Sequence, residues 1–286
     1  MHLGHFAQAT VLITGASAGI GWEFARQLAP AAKTMILVGR RSDRLEALGS
    51  ELKAMNSELD LRIRSLDLSD KAELKRLCDW LDESRLAVDL LVNNAGLGDH
   101  GLFVGSQWER VDAMLQVNVY ALTYLTFRIA PAMKKVGRGA ILNVSSVAGL
   151  LPVPNSAVYA ATKAYVNSFS EAIRAELHLS SISVTALCPG PVETEFLSRA
   201  TRGTDRERHT APDFFIVSVD DVVRQALRAV AKNRARVIPG TIVNFAMTTL
   251  AYLPMFIKRL LYHVQLKQRA SGVLSAPPNF ERTGRL

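Results

Sequence analysis

The stretch Ser156–Phe169, SAVYAATKAYVNSF, sets Tyr159 four positions before Lys163. Residues four apart on a helix share a face. A phenol with an ordinary pKa of about 10 is a poor proton donor or acceptor near neutral pH. An ammonium one turn away stabilises phenolate and lowers that value, so the spacing is expected to make Tyr159 an acid/base group tuned by Lys163. Taken alone, the same stretch is an amphipathic surface helix, and the rest of the chain decides between the two. Upstream, the run LNVSSVAG offers two hydroxyls, Ser145 and Ser146, either of which could hold an oxygen that gains negative charge. The six histidines, at positions 2, 5, 100, 178, 209 and 263, form no metal-spaced pair, and no serine sits in a G-x-S-x-G elbow. Neither a metal site nor a hydrolytic triad is expected, and His178 reads as a helix-end residue.

These groups need a scaffold. Short apolar runs at Thr10–Thr14, Met35–Gly39, Arg62–Leu66, Val88–Val92, Ala140–Ser145, Ile182–Cys188 and Arg236–Ile238 alternate with segments of helical spacing, such as Lys71–Leu81. The alternation predicts an α/β fold: a doubly wound parallel sheet of the Rossmann type, about seven strands, in a single domain. In such sheets ligands bind beyond the carboxyl ends of the strands. The first strand runs into TGASAGIGWEF, with Gly15, Gly19 and Gly21 in a G-x-x-x-G-x-G spacing. Between a strand and a helix, that loop is expected to cradle a pyrophosphate on main-chain amides. Arg40 and Arg41 follow the second strand, where an acid would hold the ribose hydroxyls of NAD and an arginine suits the 2′-phosphate of NADP. NADP(H) is therefore the expected cofactor, ahead of NAD(H).

In order along the chain, Thr14-Gly15-Ala16-Ser17-Ala18-Gly19-Ile20-Gly21, Asp67, Asn93-Asn94-Ala95-Gly96, Asn118, Ser146, Tyr159-x-x-x-Lys163 and Pro189-Gly190 resemble the short-chain dehydrogenase/reductase family over about residues 8–240. The resemblance implies a hydride-transferring oxidoreductase in which Tyr159 is the acid/base, Lys163 tunes it and binds the nicotinamide ribose, Ser146 orients the carbonyl, and Asn118 holds a water on the proton path. The family's usual serine-to-tyrosine interval of 13 selects Ser146 and leaves Ser145 to packing or backbone bonding. Read bare, Asn118 would bond a neighbouring turn. The resemblance further implies a cofactor site of Gly15, Ser17, Ala18, Gly19, Ile20, Gly21, Arg40, Arg41, Asp67, Leu68, Asn94, Ala95, Gly96, Tyr159, Lys163, Pro189, Gly190, Val192 and Thr194. Many NADP-preferring members carry a basic residue where this chain has Ala18, which leaves Ser17, Arg40 and Arg41 to grip the phosphate. Dimers or tetramers are the family habit.

The chain has 286 residues, of which 49% are hydrophobic and 21% charged, enough apolar mass for a substantial core. Cys78 and Cys188 have no partner at metal spacing and fit a reducing compartment, and the N-terminus lacks a basic region followed by a long apolar one, so a cytoplasmic protein is expected. The net charge of +8 is uneven: from Arg224 onward eleven Lys/Arg face one acid, Glu281, leaving −2 for residues 1–223. No nucleic-acid motif accompanies it. The walls of the site should come from Leu97–Gly105, Leu150–Asn155 and the segment after Thr194, with Leu102, Phe103, Leu150, Leu151, Val153, Phe196, Leu197, Phe214 and Phe215. That inventory favours a hydrophobic aldehyde, ketone or alcohol; 3-oxoacyl thioesters on coenzyme A or a carrier protein, and a non-catalytic nucleotide-binding scaffold, are the rival readings. Ser198–Pro212 reads as a lid.

Residues 241–286 form a C-terminal extension expected to pack on the 1–240 domain. The uncharged run Val237–Ile257 approaches the roughly 20 residues of a bilayer span, yet its start belongs to the last strand, and Asn244, three threonines and Pro254 weaken it. Core or dimer packing, an interfacial or lid helix, and a span are the three placements open to it. Lys258, Arg259, Lys267 and Arg269 would suit an anionic carrier or peripheral contact with a membrane.

Overall fold

Thr10–Thr14 (β1) is a run of β-branched and aliphatic residues buried along almost its whole length, as a strand covered on both faces must be. The computed structural model describes residues 3–201 and 216–260. Around β1 stand Thr34–Gly39 (β2), Asp60–Ser65 (β3), Leu90–Asn93 (β4), Gly139–Val144 (β5), Ile182–Leu187 (β6) and Arg236–Val237 (β7), all parallel, in the order β3-β2-β1-β4-β5-β6-β7. All seven strands match the expected runs to within one or two residues at each end. The order reverses at β1, and the crevice beside it lies between the carboxyl ends of β1 and β4.

Alternation along each strand divides the core. Val11, Ile13, Met35 and Leu37 meet Gly19–Leu28 (α1), Ser42–Met55 (α2) and Val219–Ala231 (α8) on one face. Leu12, Ile36, Leu91 and Ile141 meet Lys71–Glu83 (α3) and Leu122–Val136 (α5) on the other. Trp108–Leu115 (α4) passes into α5 through a π-helical stretch, Gln116–Ala121, which carries Asn118. Ala157–Leu177 (α6) carries Tyr159 and Lys163 and packs on β6. Its end falls at His178, as expected. After β6 come Glu195–Ala200 (α7) and, beyond β7, Thr241–Tyr252 (α9).

The chain divides into two compact units, Met1–Met247 and Thr248–Leu286. In the second, Leu253 and Pro254 interrupt the helical run and Lys258 donates to the Ala251 carbonyl at 2.8 Å. Among the described residues no helix is long and apolar enough to cross a membrane, which removes the span from the three placements. Lys267 and Arg269 lie outside the described residues. Both cysteines are buried and unbridged.

Candidate active site

The glycine loop leaves β1 with Gly15 at φ +66° and Gly19 at φ +56°, backbone conformations that disfavour any side chain. A Cβ on Gly21 would stand 2.3 Å from the Gly15 carbonyl oxygen, and one on Gly15 would stand 2.9 Å from Ala95 Cα. Helix α1 then starts from extended Ala18 without a side-chain cap, leaving its first amides directed out of the fold. Ser17 and Ile20 line the same turn. This is a cradle a side chain would fill, and its donors fit a pyrophosphate.

At the far end of β2 the two arginines part. Arg41 donates from Nη2 to the Ser17 carbonyl at 3.1 Å and from Nε to Ser17 Oγ at 3.4 Å. Arg40 lies 3.6 Å from Asp67. Burial pushes the Asp67 carboxyl up, but hydrogen bonds from Ser69 and the Arg40 charge outweigh it and hold the group below its ordinary value. Leu68 beside it is buried.

One hydroxyl ties β1 to β4. Thr14 Oγ1 donates to the Val92 carbonyl and accepts from the amides of Asn94 and Ala95, both at 3.0 Å. The Asn94 side chain donates back to the carbonyls of Thr14 and Gly15. Gly96 follows, its Cα flanked by Lys163 Nζ and Asn118 Oδ1. The Asn118 amide is committed to protein: Oδ1 accepts from Leu97 N at 2.8 Å, and Nδ2 donates to the Leu97 carbonyl and to Thr162 Oγ1. It bonds the loop after β4 and helix α6, not a neighbouring turn of its own helix.

Ser146, Tyr159 and Lys163 come together from the end of β5 and the first turns of α6. Ser146 Oγ accepts from the Ala148 amide at 3.1 Å, and its side chain stands close enough to the Tyr159 phenol to favour phenolate. Ser145 instead donates to the Lys163 carbonyl at 2.9 Å, inside the core, as expected. Lys163 is 4% exposed, and its Nζ donates to the Val144 carbonyl at 2.8 Å, 5.8 Å from the centre of the Tyr159 ring. Burial outweighs the expected tuning here. Burial pushes the Tyr159 phenol up to about 12 against the pull of Ser146, and burial draws the Lys163 ammonium down to about 8. Helical spacing did bring cation and phenol to one face, but the ammonium bonds a main-chain carbonyl and the low-polarity surroundings penalise phenolate more.

The loop after β6 closes the site. The Pro189 carbonyl accepts from Val147 N at 3.0 Å, Gly190 follows, and Val192 is buried. Thr194 caps α7 by accepting from Phe196 N, and its Cγ2 would lie 3.1 Å from a Cβ on Gly19. The ring of Phe196 stands 5.6 Å from that of Tyr159 and packs over Gly98. Leu102 and Phe103, expected in the walls of the site, are largely exposed. Phe214, Phe215 and most of Ser198–Pro212 lie outside the described residues. Three contributors escaped the sequence reading. Thr162 fixes Asn118, Gly149 lets its loop press against the Lys163 backbone, where a Cβ would meet the Lys163 carbonyl oxygen at 2.6 Å, and Glu195 contacts Arg41.

A sheet reversing at a glycine loop, with a phenol, a hydroxyl and a buried amine at its carboxyl edge, defines a nucleotide-dependent oxidoreductase. Residues 9–205 match the short chain dehydrogenase family, and the chain belongs to it. Sulfoacetaldehyde reductase 2 of Chromohalobacter salexigens is 37% identical over 199 residues, 68% of this chain and 76% of that protein. A short-chain dehydrogenase from Sphingobium yanoikuyae solved in complex with NADPH superposes with a TM-score of 0.74 at 30% identity, covering 97% of this chain and 100% of that one. The bulky-bulky ketone specific alcohol dehydrogenase of Comamonas testosteroni gives 0.71 at 26% identity over 95% and 96%.

Proposed function

We propose that this chain is an NADP(H)-dependent reductase of an aldehyde or ketone with an apolar body, running the reverse oxidation of the alcohol at high pH. The observation that carries the reading is the buried Lys163 ammonium 5.8 Å from the centre of the Tyr159 ring on one helix face, with Ser146 beside the phenol at the end of β5. Gly15–Gly21 would hold the pyrophosphate, Ser17 and Arg41 the 2′-phosphate, Asp67 and Leu68 the adenine, and Asn94–Gly96, Pro189, Gly190, Val192 and Thr194 the nicotinamide end. The bound nicotinamide supplies the hydride.

Ser146 and Tyr159 both donate toward the substrate oxygen, holding it while negative charge gathers there. Tyr159 then gives its proton to that oxygen. A phenol with a pKa of about 12 enters the step protonated, which suits reduction. Lys163, one turn on, hydrogen-bonds the ribose and supplies positive charge to the phenolate left behind. The committed Asn118 amide anchors the Leu97 loop, so its part on the proton path falls to the main chain of the π-helical stretch. Phe196 over Tyr159 supports an apolar substrate. The NADPH complex and the ketone specificity named for the two structural relatives support cofactor and reaction type. The exposed Trp108, Tyr120 and Phe127 along α4 and α5 support self-association, and the buried, unbridged cysteines support a reducing, cytoplasmic setting.

Tyr159→Phe tests the assignment. The turnover of hydrophobic ketones should fall by about 10²–10⁴-fold while NADPH still binds. Full hydride transfer by the variant would end the reading, and activity confined to acyl thioesters would shift the substrate class.

A further inference from the structure

The Arg41 guanidinium faces two ways. Its Nε and Nη2 hold Ser17, whereas Nη1 lies 2.9 Å from Glu195 Oε2. Arg199 reaches the same oxygen at 2.9 Å, and Arg44 lies 3.6 Å from Oε1. One carboxylate therefore answers three guanidiniums. The Arg199 contact is an ordinary pair within one helix, but the Arg41 contact joins residues 154 apart, across the mouth of the groove between the end of β2 and the start of α7. The Arg41 hydrogen bond and charge keep the Glu195 carboxyl below its usual value, so it is an anion throughout the neutral range.

A planar guanidinium presents a limited set of donors. Of its five N–H groups two serve Ser17 and one serves Glu195, so a 2′-phosphate reaching the fork must share it with a carboxylate already seated on Nη1. Carboxylate and phosphate are both anionic, and at that separation they repel. We propose that Glu195 competes with the 2′-phosphate of the cofactor for Arg41, and so sets how strongly this chain prefers a phosphorylated over an unphosphorylated dinucleotide. The inference rests on the NADP(H) reading above and adds a residue that opposes it. An acid here tempers the affinity that Arg41 would otherwise give.

Calorimetric titration of the full chain with 2′,5′-ADP and with 5′-AMP separates the outcomes, because neither probe engages the nicotinamide end. Glu195→Gln keeps the shape and removes the charge. It should bind 2′,5′-ADP about three- to tenfold more tightly than the wild type, with 5′-AMP unchanged, and Arg41→Ala added to it should abolish the gain. Equal affinities in wild type and E195Q, or weaker 2′,5′-ADP binding by E195Q, would overturn the competition while leaving the cofactor reading intact. A gain that survives removal of Arg41 would overturn it too. A wild type that binds 2′,5′-ADP no better than 5′-AMP would overturn the cofactor reading, and the competition with it.

Discussion

Between the ends of β1 and β4, main-chain groups make the site: Thr14, Asn94 and Ala95 interlock, and glycines stand where a Cβ has no room. Across the same edge, between β5 and α6, side chains make it: two hydroxyls and a buried amine, with Ser146 held on the Ala148 amide and Lys163 on the Val144 carbonyl. The first region fixes a shape and the second fixes a protonation state. Shape tolerates no added atom. Protonation state tolerates small geometric change but answers to burial and to any charge brought nearby.

The comparison can be broken at neighbouring residues. Ser146→Ala should lower kcat/KM by about 10²–10³-fold with little change in stability. Ser145→Ala should do the opposite, costing about 0.5–1.5 kcal/mol by removing the hydroxyl's bond to the Lys163 carbonyl while sparing the rate. Parallel steady-state kinetics and urea unfolding decide, and equal rate losses would erase the distinction. On the shape-fixed side, Gly21→Ala forces a Cβ to within 2.3 Å of the Gly15 oxygen. A loss of about 1–3 kcal/mol is expected, with nucleotide affinity falling alongside; wild-type stability and binding would show that the loop slides. The smallest effect sharpens the protonation side. Lys163 has a folded pKa of about 8 against its ordinary 10.5, so between those values the unfolded chain holds a proton that the folded one lacks. Stability of the wild type relative to Lys163→Met should therefore rise with pH above about 8, by about 1 kcal/mol per unit. Unfolding at pH 7, 8 and 9 measures it, and a flat difference would mean that the amine stays charged in the core.

What could be foreseen from sequence follows the same division. The strands and the glycine loop were legible because they are local: apolar runs and glycine spacing report backbone geometry within a dozen residues. So was the meeting of Tyr159 with Lys163, and the resemblance picked Ser146 over Ser145. The direction of the Tyr159 shift was not legible, since it depends on burial contributed by distant segments, among them Phe196. Glu195 was invisible for a similar reason, its partner Arg41 lying far back in the chain. The run Val237–Ile257 looked continuous, yet β7 ends at Val237 and α9 at Tyr252, before Pro254.

A phenol that keeps its hydrogen far into the alkaline range has an arithmetic consequence for the two directions of turnover. Carbonyl reduction starts with its acid already loaded across the physiological span, and its rate should be nearly insensitive to pH there. Alcohol oxidation must first strip that hydrogen away, so its speed should climb steadily as the medium becomes more basic. The same buried hydroxyl thereby tilts the working balance of the catalyst without touching its equilibrium.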